Sequence, residues 1–408
     1  MKILFYNHTP IVSGAERVLL LILSQLDRRE FQSAVLCPAG DLQPLVEAKN
    51  VPCMVVEPLQ ARFTWRPDYL LRYLLSFVQV MRNVRAQVRQ LAPDLIHANS
   101  IRAGLVMTAA TMGWRVPVIW HLHDLLPHHP ISTAIRVCVL LSSRVRLLAV
   151  SQATAQRFCG LLLRLFPRRT PSGVLLNCAD TEKFQPNDES REAIRTELAL
   201  QAKQFVIGTI GQITERKGQL GLLNAFAEVL PVIPNAMLLI VGEPLFTAAD
   251  QQYLQRLQHT AEELGLTPHV RFLGARRDVP AVMQALDLLV VNSLAEPCGL
   301  VVLEGMASGL PVLATAVGGN PEMIQPASTG WLVPAQDNPA LAAAIIKLQQ
   351  TPSLRKQLGR NARLRVSEHF TMGGYLSALA QFYRDYGGQN ITNEKVWTEI
   401  GTQSSVLK

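Results

Sequence analysis

At 408 residues the chain exceeds what one ordinary core fills, so two domains are expected. Hydrophobic residues make up 49% and charged residues only 17%, which excludes a disordered chain. The net charge of +8 is uneven: residues 1–175 carry 20 basic against 9 acidic side chains, the remainder 19 against 22.

The first elements follow from alternation. Residues 3–6 form a short apolar run that stops at Asn7-His8-Thr9, too short for a signal peptide, and read as a strand. Further strands are expected at 33–37, 51–56, 95–98, 118–121 and 147–150, with helices such as 16–26 and 69–91 between them. In the long helix Leu70, Leu74, Phe77, Met81, Val84, Val88 and Leu91 share a stripe, with Arg82, Arg85 and Arg89 on its flank. Two readings stay open for it: a helix packed on the sheet with a solvated basic edge, or one meeting an anionic membrane surface. Residues 125–179 hold no acid and seven arginines, Arg136, Arg144, Arg146, Arg157, Arg164, Arg168 and Arg169, which makes an anionic partner a fair expectation. A nucleic-acid partner is not expected.

After a polar stretch at 181–203, read as a linker, the pattern restarts with strands at 205–210, 237–241, 270–273, 288–291 and 311–314. Strands and helices alternating in this way predict an α/β chain of two Rossmann-like, doubly wound parallel sheets, whose ligands sit at the carboxyl ends of strands. The expected domains are 1–180 and 204–370, then a helix at 371–386 returning to the first domain and a polar tail at 387–408. No window approaches 18 uncharged apolar residues, so no spanning helix is expected. The six cysteines are scattered without a CxxC pair, which favours a reduced cytoplasm over a disulfide scaffold.

Two segments carry chemistry. Gly211-Gln-Ile-Thr-Glu-Arg216-Lys217-Gly218 follows a strand and offers a glycine turn and two cations at a helix start, as a diphosphate requires. Its spacing excludes a Walker A loop. Residues 291–322 hold Glu296 in a loop and Glu304 a turn inside the helix that Gly299 opens. Acids so placed suit hydroxyls of one ligand, and the amides at Gly299, Leu300 and Val301 suit its phosphates. The competing reading makes Glu304 an ordinary helix acid and Glu296 a solvated loop residue. His97 and His121 read as strand-end packing residues, and His123-Asp124 as a hydrogen-bonding pair. His128-His129 lack a third ligand, and no Asp-x-Asp element is present, so metal-independent chemistry without a cofactor is expected.

The run E-PCGLVVL-E-GMASGLPVLAT-AVGGNPE resembles the donor-site signature of glycosyltransferase family 4, retaining enzymes of GT-B fold that use nucleotide sugars. The resemblance covers residues 2–386. Asn7 and Ser13-Gly14-Ala15-Glu16 are similar to the family's N-terminal loop, and Asp94-Leu-Ile-His97 with His121-Leu-His123-Asp124 to its histidine segments. Asn177-Cys-Ala-Asp180 resembles its Asn-Gly-Val-Asp turn, and Phe272-Leu273-Gly274 the strand end beside the base. The resemblance implies two domains facing across a cleft and transfer of a hexosyl group from a nucleotide-diphosphate sugar to a glycan, lipid or lipid-linked hydroxyl. Arg216 and Lys217 would then hold the diphosphate, Glu296 the sugar and Glu304 the ribose. Gly299, Leu300 and Val301 would assist at the phosphates, and Phe272, Leu273 and Gly274 would flank the base. Gly14 would approach the diphosphate beside Gly211, and His123 the sugar. The implied setting is cell-envelope or polysaccharide assembly, in the cytoplasm or peripheral at the inner membrane face. The alternatives are an epimerase of the same fold or an inactive nucleotide-sugar-binding protein. Ser13, Cys178, Asn292 and Cys298 depart from the pattern, and Cys298 puts the identity of the sugar in question.

Overall fold

A computed structural model describes residues 1–59, 67–127, 129–165 and 172–387. The chain forms two compact units, Met1–Leu175 together with the chain from Leu376, and Leu176–Tyr375. The first holds seven parallel strands: β1 (Lys2–Tyr6), β2 (Gln32–Cys37), β3 (Cys53–Val55), β4 (Leu95–Ala98), β5 (Val118–Leu122), β6 (Val145–Ala149) and β7 (Ser172–Val174), in the order β3-β2-β1-β4-β5-β6-β7. The second holds six: β8 (Phe205–Ile210), β9 (Ala236–Val241), β10 (Val270–Gly274), β11 (Leu288–Val291), β12 (Val312–Thr315) and β13 (Trp331–Val333), in the order β10-β9-β8-β11-β12-β13. β4, β9, β11 and β12 are buried along their whole length, as parallel strands covered on both faces must be. In the second sheet the order reverses between β8 and β11, and the crevice at that switch lies beside Gly211, Lys217 and Ser293.

Two boundaries differ from expectation. The first unit ends at Leu175 rather than at residue 180, and residues 181–203 belong to the second unit. They contain the helix Asp188–Glu197, capped by Asn187 and docked through Arg191 and Arg195 on Asp287 and on the carbonyls of Gln284, Ala285 and Leu286. The last helix, Met372–Gly387, changes unit along its length: Tyr375 counts with the second and Leu376 onward with the first.

The helix Pro67–Leu91 buries Val80, Val84 and Val88 and packs Phe77, Met81 and Leu91 on the first core. From Phe77 to Leu91 the stripe is therefore core-facing. Its Arg85 donates to the carbonyls of Ala110 and Met112 and lies over the Trp114 ring, so it serves the end of the helix Ile101–Ala110. Arg144 donates to Thr108 O, Thr111 Oγ1 and Val116 O at the same helix end. Arg136 takes the carbonyls of Arg157 and Phe158 where the next helix kinks at Gly160. Arg146 and Arg157 likewise bind backbone carbonyls. Much of the basic excess thus answers carbonyls that the fold leaves open. His128, Arg168, Arg169 and the tail beyond Gly387 lie outside the described residues, as do the side chains of Leu70, Leu74 and Arg164.

Candidate donor site

The site is assembled at the carboxyl end of the second sheet. β8 ends at Ile210, and Gly211 N donates to Val241 O at 2.9 Å, which turns the chain over the strand ends. Arg216 and Lys217 then sit on a 3-10 turn, Glu215–Lys217, one turn ahead of the helix Gln219–Val229 rather than on it. Gly218 separates them with φ +66, and a Cβ there would lie 2.0 Å from Asn292 O. Only glycine permits this close approach. Asn292, which departs from the family pattern, returns the contact by donating to Gly218 O at 2.9 Å. The helix that follows has less free amide than its position implies, because Leu220 N donates to the Tyr253 hydroxyl at 3.0 Å.

The second loop meets the first through Glu296. Its Oε2 accepts Lys217 Nζ at 2.5 Å and Ser293 Oγ at 2.8 Å, and Arg216 Nη1 donates to the neighbouring Ala295 O at 3.1 Å. Among the described residues no donor reaches Glu296 Oε1. Burial alone would raise the carboxyl, but Lys217 and Arg216 with the Lys217 and Ser293 hydrogen bonds outweigh it and hold it below the usual range. The competing reading of a solvated Glu296 is therefore excluded: its side chain is 5% exposed, against 17% for Lys217. Its backbone is held as well, since Gly319 N donates to Glu296 O at 2.9 Å. Behind it, Thr315 Oγ1 donates to Ser293 O at 2.6 Å and Asn320 Nδ2 to Thr315 O at 2.9 Å.

Gly299 caps the helix Leu300–Ala307, whose geometry leaves the amides of Leu300 and Val301 without an intrahelical acceptor. Glu304 is half-buried inside it. Cys298 is buried with its thiol 3.7 Å from Met323 Sδ, and burial pushes that thiol up to about 12. Asn177 Nδ2 donates to its carbonyl at 3.0 Å, which gives the Asn177-Cys178 turn a role in shaping this loop. On β10 Phe272 packs on the core, and the exposed Gly274 accepts Gly242 N at 2.8 Å. Arg271 points away, to Leu198 O and Ala199 O.

Lys217, Glu296, Arg216 and the two loop backbones thus converge. Ser293, Thr315 and Asn320, which lock Glu296, were absent from the sequence expectation; a hydroxyl three residues before a loop acid was the signal for Ser293. Gly14 and His123 belong to the first unit. Gly14 starts the helix Gly14–Gln25, Glu16 Oε2 accepts Ser13 N at 3.0 Å and Ser13 Oγ at 2.6 Å, and a Cβ on Gly14 would meet nothing within 4 Å. Ser13, a departure from the family pattern, therefore caps the helix. His123 follows β5, its Nε2 buried without a partner among the described residues, while Asp124 is exposed. Among the described residues no group of three His, Cys, Asp or Glu is placed to hold a metal.

Burial holds His97 and His123 down to about 3 and His121 well below the usual histidine range. Each binds its proton more readily unfolded than folded, so the stability it contributes is whole above about pH 6.5 and erodes as pH falls towards the folded value. The stability of the first unit to urea is expected to fall between pH 7 and pH 5 by on the order of 2 kcal/mol for each of His97 and His123. A flat profile over that interval would show that these rings are not buried in neutral form.

The chain matches the family model for glycosyl transferases group 1 over residues 190–365 and that for the glycosyl transferase 4-like domain over residues 13–162. It is 30% identical to the D-inositol 3-phosphate glycosyltransferase of Corynebacterium glutamicum over 318 residues, 74% of either chain. The match to the enzyme of the same name from Corynebacterium jeikeium, 36% identical over 210 residues, spans about half of either chain. The lipopolysaccharide core biosynthesis glycosyltransferase LpsD of Rhizobium meliloti is 26% identical over 92% of this chain and 97% of its own. Among solved structures, the Anabaena protein HepE in complex with UDP-glucose superposes with a TM-score of 0.80 at 28% identity, covering 94% of this chain and all of that one.

Proposed function

The chain belongs to the glycosyl transferases group 1, or family 4, enzymes of GT-B fold, and we propose that it moves a sugar from a nucleotide diphosphate to an acceptor hydroxyl with retention of configuration. The observation that carries this reading is the buried Lys217–Glu296 pair, locked between two loops at the strand switch. Lys217 keeps further N–H donors for the diphosphate, Arg216 adds a second cation, and the Leu300 and Val301 amides meet phosphate oxygens at the Gly299 cap. With Oε2 occupied, Glu296 Oε1 is the atom offered to sugar hydroxyls. Glu304 takes the ribose, and Gly211, Phe272, Leu273 and Gly274 line the nucleotide. Of the first unit's residues, Gly14 is read as a diphosphate contact and His123 as a sugar contact.

In this mechanism the bond from the anomeric carbon to the diphosphate oxygen breaks, and its electron pair leaves with the nucleotide. The acceptor oxygen attacks from the same face, and its proton passes to a phosphate oxygen of the leaving group. The protein's part is electrostatic: fixed cations and amides meet charge as it develops. The HepE complex makes UDP-glucose the first donor to try. Thermal-shift screening with nucleotide-diphosphate sugars tests the reading, because a bound donor stabilises only the folded state. One or a few donors should raise the midpoint; no shift with any of them would count against it. Isomerisation of the bound donor without acceptor would instead favour an epimerase.

The acceptor is a glycan, a lipid or a lipid-linked sugar, and the setting is envelope or polysaccharide assembly. No helix among the described residues is long and apolar enough to cross a membrane. Peripheral docking through the first unit is supported by exposed Arg82 and Arg89 and by exposed Leu141 and Leu161. Co-sedimentation should favour anionic over neutral vesicles at low salt; equal recovery would remove this part of the proposal.

A further inference from the structure

Beside His123 runs a hydrogen-bonded chain that the roles above leave unused. The Tyr383 hydroxyl lies 2.7 Å from His97 Nδ1, and His97 Nε2 lies 3.1 Å from His121 Nδ1. The His121 ring packs on that of His123 with centroids 3.9 Å apart. Tyr383, His97 and His121 have no solvent exposure. β4, β5 and the last helix, the sequence-distant end of the first unit, supply one residue or more each.

The direction of this chain follows from its ends. Among the described residues His97 is the hydrogen-bond partner of Tyr383. Were Tyr383 to accept, both its O–H and the lone pair of His121 Nε2 would be buried unpaired, whereas donating leaves one unpaired group, so it donates. His97 Nδ1 then accepts, its proton sits on Nε2, and that N–H donates to His121 Nδ1. The His121 proton is left on Nε2, a buried nitrogen with no partner among the described residues. One hydroxyl thereby sets two histidine tautomers. Burial keeps both rings neutral, so protonation does not break the chain near neutral pH.

We propose that Tyr383 is a positioning residue for His123: acting through His97, it fixes the tautomer and ring angle of His121, the ring against which His123 packs at an interplanar angle of 48°. The proposal rests on the reading of His123 as a sugar contact. It also gives the last helix a role in the site besides closing the first unit's core.

The test uses the full chain with 15N-labelled histidine and long-range 1H–15N correlation of the rings. In the unsubstituted protein His97 and His121 should each show a single tautomer protonated at Nε2; protonation of His121 at Nδ1 would overturn the proposal without any variant. Tyr383→Phe keeps the ring and removes only the donor. It should give mixed tautomers at both histidines and a kcat lowered about tenfold, with the donor KM and the thermal midpoint near those of the parent. Unchanged tautomers or an unchanged kcat would overturn the proposal. Full turnover by His123→Ala would overturn the reading of His123 and the proposal with it, whereas contrary tautomers beside an inactive His123→Ala would overturn the proposal alone.

Discussion

Lys217→Ala is expected to lower turnover by about 10³-fold and also to destabilise the second unit by roughly 3 kcal/mol. The two losses have different origins. Turnover falls because a fixed cation at the leaving diphosphate is gone. Stability falls because Glu296, with a side chain 5% exposed, keeps its charge without its ammonium partner and retains only Ser293 and the more distant Arg216. Glu296→Ala should lower turnover comparably, yet cost less stability, since the Lys217 side chain is 17% exposed and reaches water more easily. The pair therefore predicts an asymmetry that a surface salt bridge would not give. It also predicts a pH signature. The parent holds the Glu296 carboxyl below its usual range, so that contribution is present at neutral pH and lost as pH falls through the folded value. In Lys217→Ala the carboxyl protonates at higher pH, and the stability gap between variant and parent narrows on acidification. Denaturant titrations at two pH values measure this; equal costs for the two variants, or a constant gap, would contradict the account.

Gly318→Ala should be among the most disruptive single-methyl additions in the second unit. Gly318 has φ +54, and its Cβ would lie 1.8 Å from Glu296 O and 2.7 Å from the Glu296 carbonyl carbon. Neither flexible side chain nor open space absorbs that overlap, so the loop carrying Glu296 must shift and the Gly319 N to Glu296 O bond is lost. A cost above about 3 kcal/mol and a loss of turnover are expected. Gly14→Ala provides the contrast: its Cβ meets nothing within 4 Å, and so its melting midpoint should stay within a degree or two of the parent's, roughly the noise of surface changes. If Gly14 approaches the donor, this silent variant will still raise the donor KM. A Gly318→Ala protein with parental midpoint and turnover would mean that the Glu296 loop is not held as described.

How much of this was legible in the chain depends on what each residue had to satisfy. Strands buried on both faces announce themselves as unbroken apolar runs, and β1, β4, β8, β9 and β11 were readable for that reason. β7 and β13 were not: each is three residues long at a sheet edge, without a run to read. β6 begins earlier than expected because Arg146 interrupts its apolar pattern, although its guanidinium is spent on Ser143 O and Val145 O. Arginine counting failed in the same way elsewhere. Arg85, Arg136 and Arg144 bind carbonyls at helix ends and a kink, demands that exist only once the helices are packed. In the site, Glu296, Lys217 and the glycines stood out through the resemblance of their segments to the family's donor-site signature, since their spacing alone left the competing reading open. Thr315 and Asn320 did not, because a hydroxyl or amide that locks a loop is locally indistinguishable from an ordinary turn residue; Ser293 was marked only by its place three residues before Glu296.

The central claim is that the Lys217–Glu296 pair forms the heart of a nucleotide-sugar site. Isothermal titration of the parent chain and of Glu296→Gln with the donor that most raises the thermal midpoint tests it most directly. The account predicts saturable binding to the parent and at least tenfold weaker binding to the variant, with the variant's fold intact. Equal affinity in both proteins would contradict it.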